Sequence, residues 1–253
     1  MKQMGSIPSQ SWQVDADEVD MTRPAPPVRP LAIDAEPQRI VVDGNKTALV
    51  VVDMQNDFCT KGGWMDSRGI DIAPNRAPIG PLSRLLPRLR VEDIPIVWVN
   101  WGVRKDLLNI APSLRHAHNP RGNETDLGSP VPGTRSEILR HGSWGAEVVD
   151  EINANGGDIQ VTKHRFSGFW DTDLDAILRN LGVKTLLIGG VNLDQCVMTT
   201  LEDASFLGYD VILVEDCAAT TSPAYCTQAT LYNIKLLFGF VTRADQIIAA
   251  LDA

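Results

Sequence analysis

The 253-residue chain has 43% hydrophobic and 22% charged residues and a net charge of −9. That composition describes one or two globular domains at about 150 residues each, with a core that needs no disulfide staples. It excludes a binder that works by neutralising phosphates. Cys59, Cys196, Cys217 and Cys226 are too few and too irregularly spaced for a secreted disulfide framework.

Residues 1–40 hold six prolines and a net charge of −2, the composition of an irregular arm rather than a domain. The N-terminal residues contain no continuous apolar run of the signal-peptide kind, and no apolar stretch approaches the length of a membrane span. The expected compartment is the cytoplasm.

From residue 46 the pattern changes. Apolar runs at 47–53, 94–99, 158–162, 184–188, 210–214 and 234–240 read as buried parallel strands. Helical patterns are expected at 79–89, 146–152, 173–181, 196–207, 224–232 and 243–250. Six alternations of strand and helix predict an α/β fold, a three-layer doubly wound sheet of about six mainly parallel strands with helices on both faces. Residues 46–253 then form one domain behind an arm at 1–45. An excursion at about 101–143, rich in Gly, Pro, His and Arg, has no clear structural pattern, and an insertion of that length is usually functional or disordered.

Right-handed crossovers bring the C-terminal ends of such strands to one edge, where α/β folds bind ligands. Asp53 closes the first run, Lys163 the third, and Cys196 follows the fourth. A helix N-terminus favours thiolate, a carboxylate can accept the thiol proton, and an ammonium can hold that carboxylate ionised. Gly189–Gly190 permits a tight strand exit, after which backbone N–H groups near Asn192 and at Cys196 can face one carbonyl oxygen. Each residue also has a bland reading: small hydrophobe for Cys196, cap for Asp53, solvated strand end for Lys163.

The segments VVVDMQNDFC (50–59), KHRFSGFWDTDLDAILRNLGV (163–183) and LLIGGVNLDQCVMTTLEDASFLGYDVILVEDCAAT (186–220) resemble the isochorismatase-like cysteine hydrolase family. The resemblance implies a triad in which Asp53, followed by Gln55, is general base, Lys163 completes the set and Cys196 is the nucleophile, with an oxyanion hole at Asn192 and Cys196. It also implies a cis peptide at Val191–Asn192. Leu193 stands where the family often has Thr, which bears on substrate identity and admits an altered or inactive member acting as an interaction module.

HGSW (141–144), with Arg165, Ser167, Gly168, Phe169, Thr172, Leu174 and Asp175, is similar to the ureidoacrylate amidohydrolase branch, whose relatives hydrolyse biuret, triuret and N-carbamoylsarcosine. The resemblance implies a small amide, ureido or carbamoyl substrate and a homo-oligomer, dimer or tetramer, with the excursion or the arm as a possible contributor to its interface. Nicotinamidases of this family carry D-x-H after the second strand. Here the residues are NWGVRKD (100–106), so no catalytic metal is expected, and no cofactor. His116 and His118 form H-x-H without an identifiable third ligand, and neither His141 nor His164 has ligand spacing. Phe58, Trp64, Trp101, Phe169 and Trp170 are candidate walls for a planar substrate. Asn100 is a candidate polar contact, and Arg104 or Arg165 a candidate partner for a substrate carboxylate. A true isochorismatase would usually lack the nucleophilic cysteine, and the phosphate-binding motifs G-x-G-x-x-G and G-x-x-x-x-G-K are absent.

Overall fold

The computed structural model describes residues 1–122, 125–154 and 156–253. Its centre is a six-stranded sheet of β6 (Thr47–Val52), β7 (Ile96–Trp101), β8 (Ile159–Lys163), β9 (Thr185–Val191), β10 (Asp210–Ala219) and β11 (Phe240–Thr242), in the order β11-β10-β9-β6-β7-β8. Every neighbouring pair is parallel. All six residues of β6 and all seven of β9 are buried. Successive side chains of a strand face opposite ways, so burial without alternation means that both faces are covered.

Helix α4 (Ile79–Val91) packs against α9 (Ala244–Leu251), and α7 (Met198–Phe206) packs on β10. Helix α6 (Leu174–Leu181) stops at Gly182, which adopts the left-handed conformation of a helix C-cap. The chain runs from β6 outward to β8 and returns to β9 on the other side of β6. The crevice between β6 and β9 is therefore the point where strand order reverses, the place such sheets bind ligands.

Four expectations are corrected. The arm is not irregular: β1 (Lys2–Met4), β2 (Trp12–Val14) and β3 (Val19–Asp20) form a small antiparallel sheet. Strands β4 (Pro30–Ile33) and β5 (Ile40–Asp43) form a hairpin whose Leu31 and Ile33 join the core. Prolines sit between or at the ends of these strands, where no ladder N–H is lost.

Residues 146–152 are not a helix. Val148 pairs with Gln55, and the N–H of Val149 donates to Met54 O at 3.0 Å. That pairing claims the backbone groups a helix would use, leaving single 3-10 turns at Trp144–Ala146 and Asp150–Ile152.

The run at 234–240 is mostly helical. Helix α8 (Ala224–Asn233) continues through a wide π turn, Ile234–Phe238, with Ile234 buried but Leu236 and Leu237 exposed. β11 begins only after Gly239, where a Cβ would lie 2.0 Å from Val211 O.

The excursion is structured. It holds α5 (Pro112–His118) and a bridge between Pro130 and Glu137, and it buries Leu114, Leu127, Val131, Ile138 and Leu139. Three short helices not expected from the sequence, α1 (Asn56–Cys59), α2 (Trp64–Ser67) and α3 (Ala73–Arg76), lie between β6 and α4. Among the described residues no helix is long and apolar enough to cross a membrane.

Candidate active site

Asp53 follows the last residue of β6 and has φ of +53°, a left-handed backbone that Asp adopts more readily than most residues. The turn directs its carboxylate sideways across the end of β7, where Oδ1 accepts the Trp101 N–H at 3.2 Å. Lys163 ends β8, two strands away, and its four-carbon stem spans that gap. Nζ lies 2.8 Å from Asp53 Oδ2, 4.3 Å from the centre of the Trp101 ring, and donates to Arg165 O at 3.1 Å. Both members of the ion pair are fully buried.

Cys196 comes from the other side of the crevice. β9 ends at Val191, the Val191–Asn192 peptide is cis, and the chain enters a wide π turn, Leu193–Val197, that leads into α7. Asn192 O accepts the N–H groups of Gln195 and Val197 at 3.0 and 3.2 Å. Thr200 anchors the turn: its hydroxyl donates to Cys196 O at 2.6 Å and accepts the Gly168 N–H at 2.9 Å. The Cys196 thiol is buried beside the Asp53 carboxylate and feels its charge. Gly190 lets β9 approach this closely. Its φ is +117°, and a Cβ there would stand 2.0 Å from Val52 O.

Burial dominates the electrostatics. It pushes the Cys196 thiol up to about 12, with the Asp53 charge adding to the rise and Lys163 opposing it. It also raises the Asp53 carboxyl above the ordinary carboxylate range, against the pull of Lys163. The resting Cys196 is therefore a neutral thiol rather than the thiolate a helix N-terminus alone would favour.

A model of the isochorismatase domain matches residues 47–246, the span containing all three residues. The chain belongs to the isochorismatase family. It is 32% identical over 223 residues to the ureidoacrylate amidohydrolase RutB of Rhizobium rhizogenes, covering 88% of this chain and 90% of that protein. A cysteine hydrolase from Pseudomonas syringae pv. phaseolicola 1448A superposes with a TM-score of 0.71 at 25% identity, covering 88% of this chain and 98% of that one. The N-carbamoylsarcosine amidase of Thermoplasma acidophilum superposes with a TM-score of 0.60 at 30% identity, covering 79% and 97%.

Around the cluster, this isochorismatase-family hydrolase builds an aromatic wall. Phe58 meets Trp64 at 6.1 Å, Trp64 meets His118 at 5.3 Å, and His118 meets Trp101 at 5.6 Å and stacks on Phe166 at 5.9 Å. Phe58, Trp64 and Trp101, singled out in the sequence as candidate pocket walls, belong to this ring cluster, and His118 and Phe166, which were not, join them. No local signal marks His118, because its place depends on the excursion folding back from residue 118 onto residue 64. Its Nδ1 lies 2.8 Å from Leu114 O, and burial lowers its pKa, so the ring is neutral with the proton on Nδ1.

Other expected pocket residues are placed differently. Arg104 is exposed and forked onto Asp106. Arg165 donates to Asn109 O and pairs with Asp171 at 2.9 Å. Phe169 packs on Tyr209, and Trp170 is exposed. Asn100 is half-buried, with an Oδ1 that finds no hydrogen-bond partner among the described residues. Trp64 Nε1 likewise lacks one.

Asp57 went unnoticed in the sequence. Fully buried, it accepts the Trp64 N–H at 2.9 Å, the Leu139 N–H at 2.7 Å and the Ser136 hydroxyl. It thereby ties α1 to the excursion. Among the described residues no three His, Cys, Asp or Glu side chains converge as metal ligands.

Proposed function

We propose that this protein is a cysteine-dependent amidohydrolase that cleaves the C–N bond of a small ureido, carbamoyl or amide compound through a thioester. The observation that carries the reading is the meeting of Asp53, Lys163 and Cys196 from three separate strand ends, with the Lys163–Asp53 pair at 2.8 Å and the buried Cys196 thiol in the field of both charges.

Asp53 takes the thiol proton as Cys196 Sγ attacks the substrate carbonyl carbon. The backbone N–H groups of Asn192 and Cys196 hold the resulting oxyanion. The C–N bond breaks, Asp53 returns the proton to the leaving nitrogen, and ammonia or an amine departs from a thioester. Asp53 then removes a proton from water as it attacks. Collapse of the second tetrahedral species releases the acid and restores the thiol. Lys163 offsets the negative charge that moves between Asp53 and sulfur. The nucleophile, base and counter-charge are all side chains, so the reading gives no step to a metal.

Kinship to the ureidoacrylate amidohydrolase RutB and to N-carbamoylsarcosine amidase supports a ureido- or carbamoyl-type substrate. The aromatic wall suits a small planar group, and the unpartnered Trp64 indole N–H offers a donor to a ureido carbonyl. Ammonia release measured over ureidoacrylate, biuret, triuret, N-carbamoyl amino acids and simple amides tests the proposal. Turnover of a ureido or carbamoyl compound is expected, unaffected by a chelator and absent from Cys196→Ala. Full activity in Cys196→Ala overturns the mechanism.

A further inference from the structure

We propose that His118 selects a substrate with a terminal carbamoyl group, the unprotonated Nε2 of its ring accepting an N–H from the –NH2 of that group. The inference rests on the amidohydrolase reading and assigns the recognition step within it to a residue of the excursion. His118 is the last residue of α5, and only 8% of it is exposed. Its Nδ1 lies 2.8 Å from Leu114 O, one turn back on the same helix. That bond takes the proton on Nδ1 and leaves Nε2 with its lone pair. No group among the described residues bonds Nε2. Polar atoms in buried places are seldom left without a partner, and a phenyl ring would complete the wall without needing one.

The ring stands beside the reacting groups. It meets Trp101 edge-on at 5.6 Å, and Lys163 Nζ lies 4.3 Å from the centre of that same Trp101 ring. The charge of Lys163 acts on the imidazole. Phe166, three residues beyond Lys163, stacks on it at 5.9 Å. Arg68 fixes the outer side: it donates to His118 O at 2.7 Å and lies 5.8 Å from the centre of the Trp64 ring. An acceptor held on so many sides is pre-organised, so little is spent in ordering it when a ligand arrives.

The neighbouring ring sets the class of ligand. Trp64 lies 5.3 Å from His118, and its buried Nε1–H has no acceptor among the described residues. The wall therefore presents one open donor beside one open acceptor. A carbamoyl group, with C=O and N–H on one carbon, carries the matching pair. A carboxylate has no hydrogen for Nε2, and an acetyl group answers the Trp64 donor alone. A site built around such a bond discriminates against the analogue that lacks it, because the buried acceptor is then left unmet.

Calorimetric titration of Cys196→Ala, in which turnover is stopped, with ureidoacrylate and with acetamidoacrylate tests this. The two ligands differ only in –NH2 against –CH3. Ureidoacrylate is expected to bind more tightly, on the order of 10- to 100-fold, the cost of leaving one buried polar group unpaired. Adding His118→Phe is expected to erase that ratio, whatever it does to either affinity. His118→Gln, which restores an acceptor, is expected to recover part of it. A purely structural role would move both affinities together. Should the His118 variants not fold, NMR of Cys196→Ala with isotope-labelled histidine nitrogens decides the matter. The Nε2 resonance of the ring protonated on Nδ1 is expected to shift with ureidoacrylate and not with acetamidoacrylate. Equal affinities in Cys196→Ala, a ratio unmoved by His118→Phe, or an Nε2 resonance indifferent to ureidoacrylate each overturns the proposal, and leaves the amidohydrolase reading standing where the native protein releases ammonia from a ureido or carbamoyl compound. If it releases ammonia from none, that reading fails and this inference fails with it.

Discussion

Gln55 grips the backbone of Trp101 from both sides. Its Oε1 accepts the Trp101 N–H at 2.9 Å, and its Nε2 donates to Trp101 O at 2.8 Å and to Ala146 O at 2.6 Å. Trp101 in turn contacts Asp53 through its N–H and Lys163 through its ring. Gln55→Ala leaves two carbonyls and part of the N–H demand of Trp101 unmet in a buried place. At about 1–3 kcal/mol for each orphaned group, the expected loss is about 2–4 kcal/mol in urea unfolding, with a fall in turnover as the Trp101 ring shifts under Lys163.

The Asp53–Lys163 pair is expected to be costly to break and cheaper to remove. Asp53→Asn keeps the shape but leaves a buried ammonium without its counter-ion, a loss of about 3–5 kcal/mol. Adding Lys163→Met is expected to recover most of that stability, as read from denaturation midpoints. Ammonia release stays absent in both variants, because stability returns without the base.

Alkylation of Cys196 by iodoacetamide, without substrate, is expected to rise with pH through a midpoint far above the ordinary thiol value of 9.0, toward about 12. Asp53→Asn lowers that midpoint, since the Asp53 charge is one of the causes that raise it. Between the two values the unfolded thiol is ionised and the folded one is not. The folded state then holds the extra proton, and this contribution to stability falls as pH rises through the window. On the acid side, kcat/KM is expected to decline through a value above 3.8, because burial raises Asp53. An acid limb below 3.8 would falsify the assignment of Asp53 as base.

Asp57 organises rather than reacts. Asp57→Ala strips acceptors from the N–H groups of Trp64 and Leu139 and from Ser136. Hydrogen exchange is expected to show faster exchange across the excursion, with β6 and β9 still protected. Stability is expected to fall by about 3 kcal/mol or more.

Much of the centre of the molecule was legible locally. The runs at 47–53 and 184–188 are apolar at consecutive positions because both faces of β6 and β9 are covered. Asp53 and Cys196 follow such runs, whereas Lys163 ends the alternating strand β8. The edges were harder to read. The run at 234–240 has strand-like composition, yet only contact with Val211 at Gly239 shows where helix ends and strand begins. Residues 146–152 have helical spacing, but Gln55 pairs with Val148 and takes the backbone first.

The order of the central strands β6 to β10, and the residue types at their ends, were legible in the sequence itself, because burial imprints a pattern within a few residues. Which side chains surround those ends was decided by tertiary structure alone. His118 reaches Trp64 and Phe166, Asp57 reaches Leu139, and Arg104 turns away to Asp106, because these contacts join segments far apart in the chain or pit one nearby partner against another. Periodicity carries no record of such pairings, and the energy that selects them exists only once the sheet has brought its strand ends together.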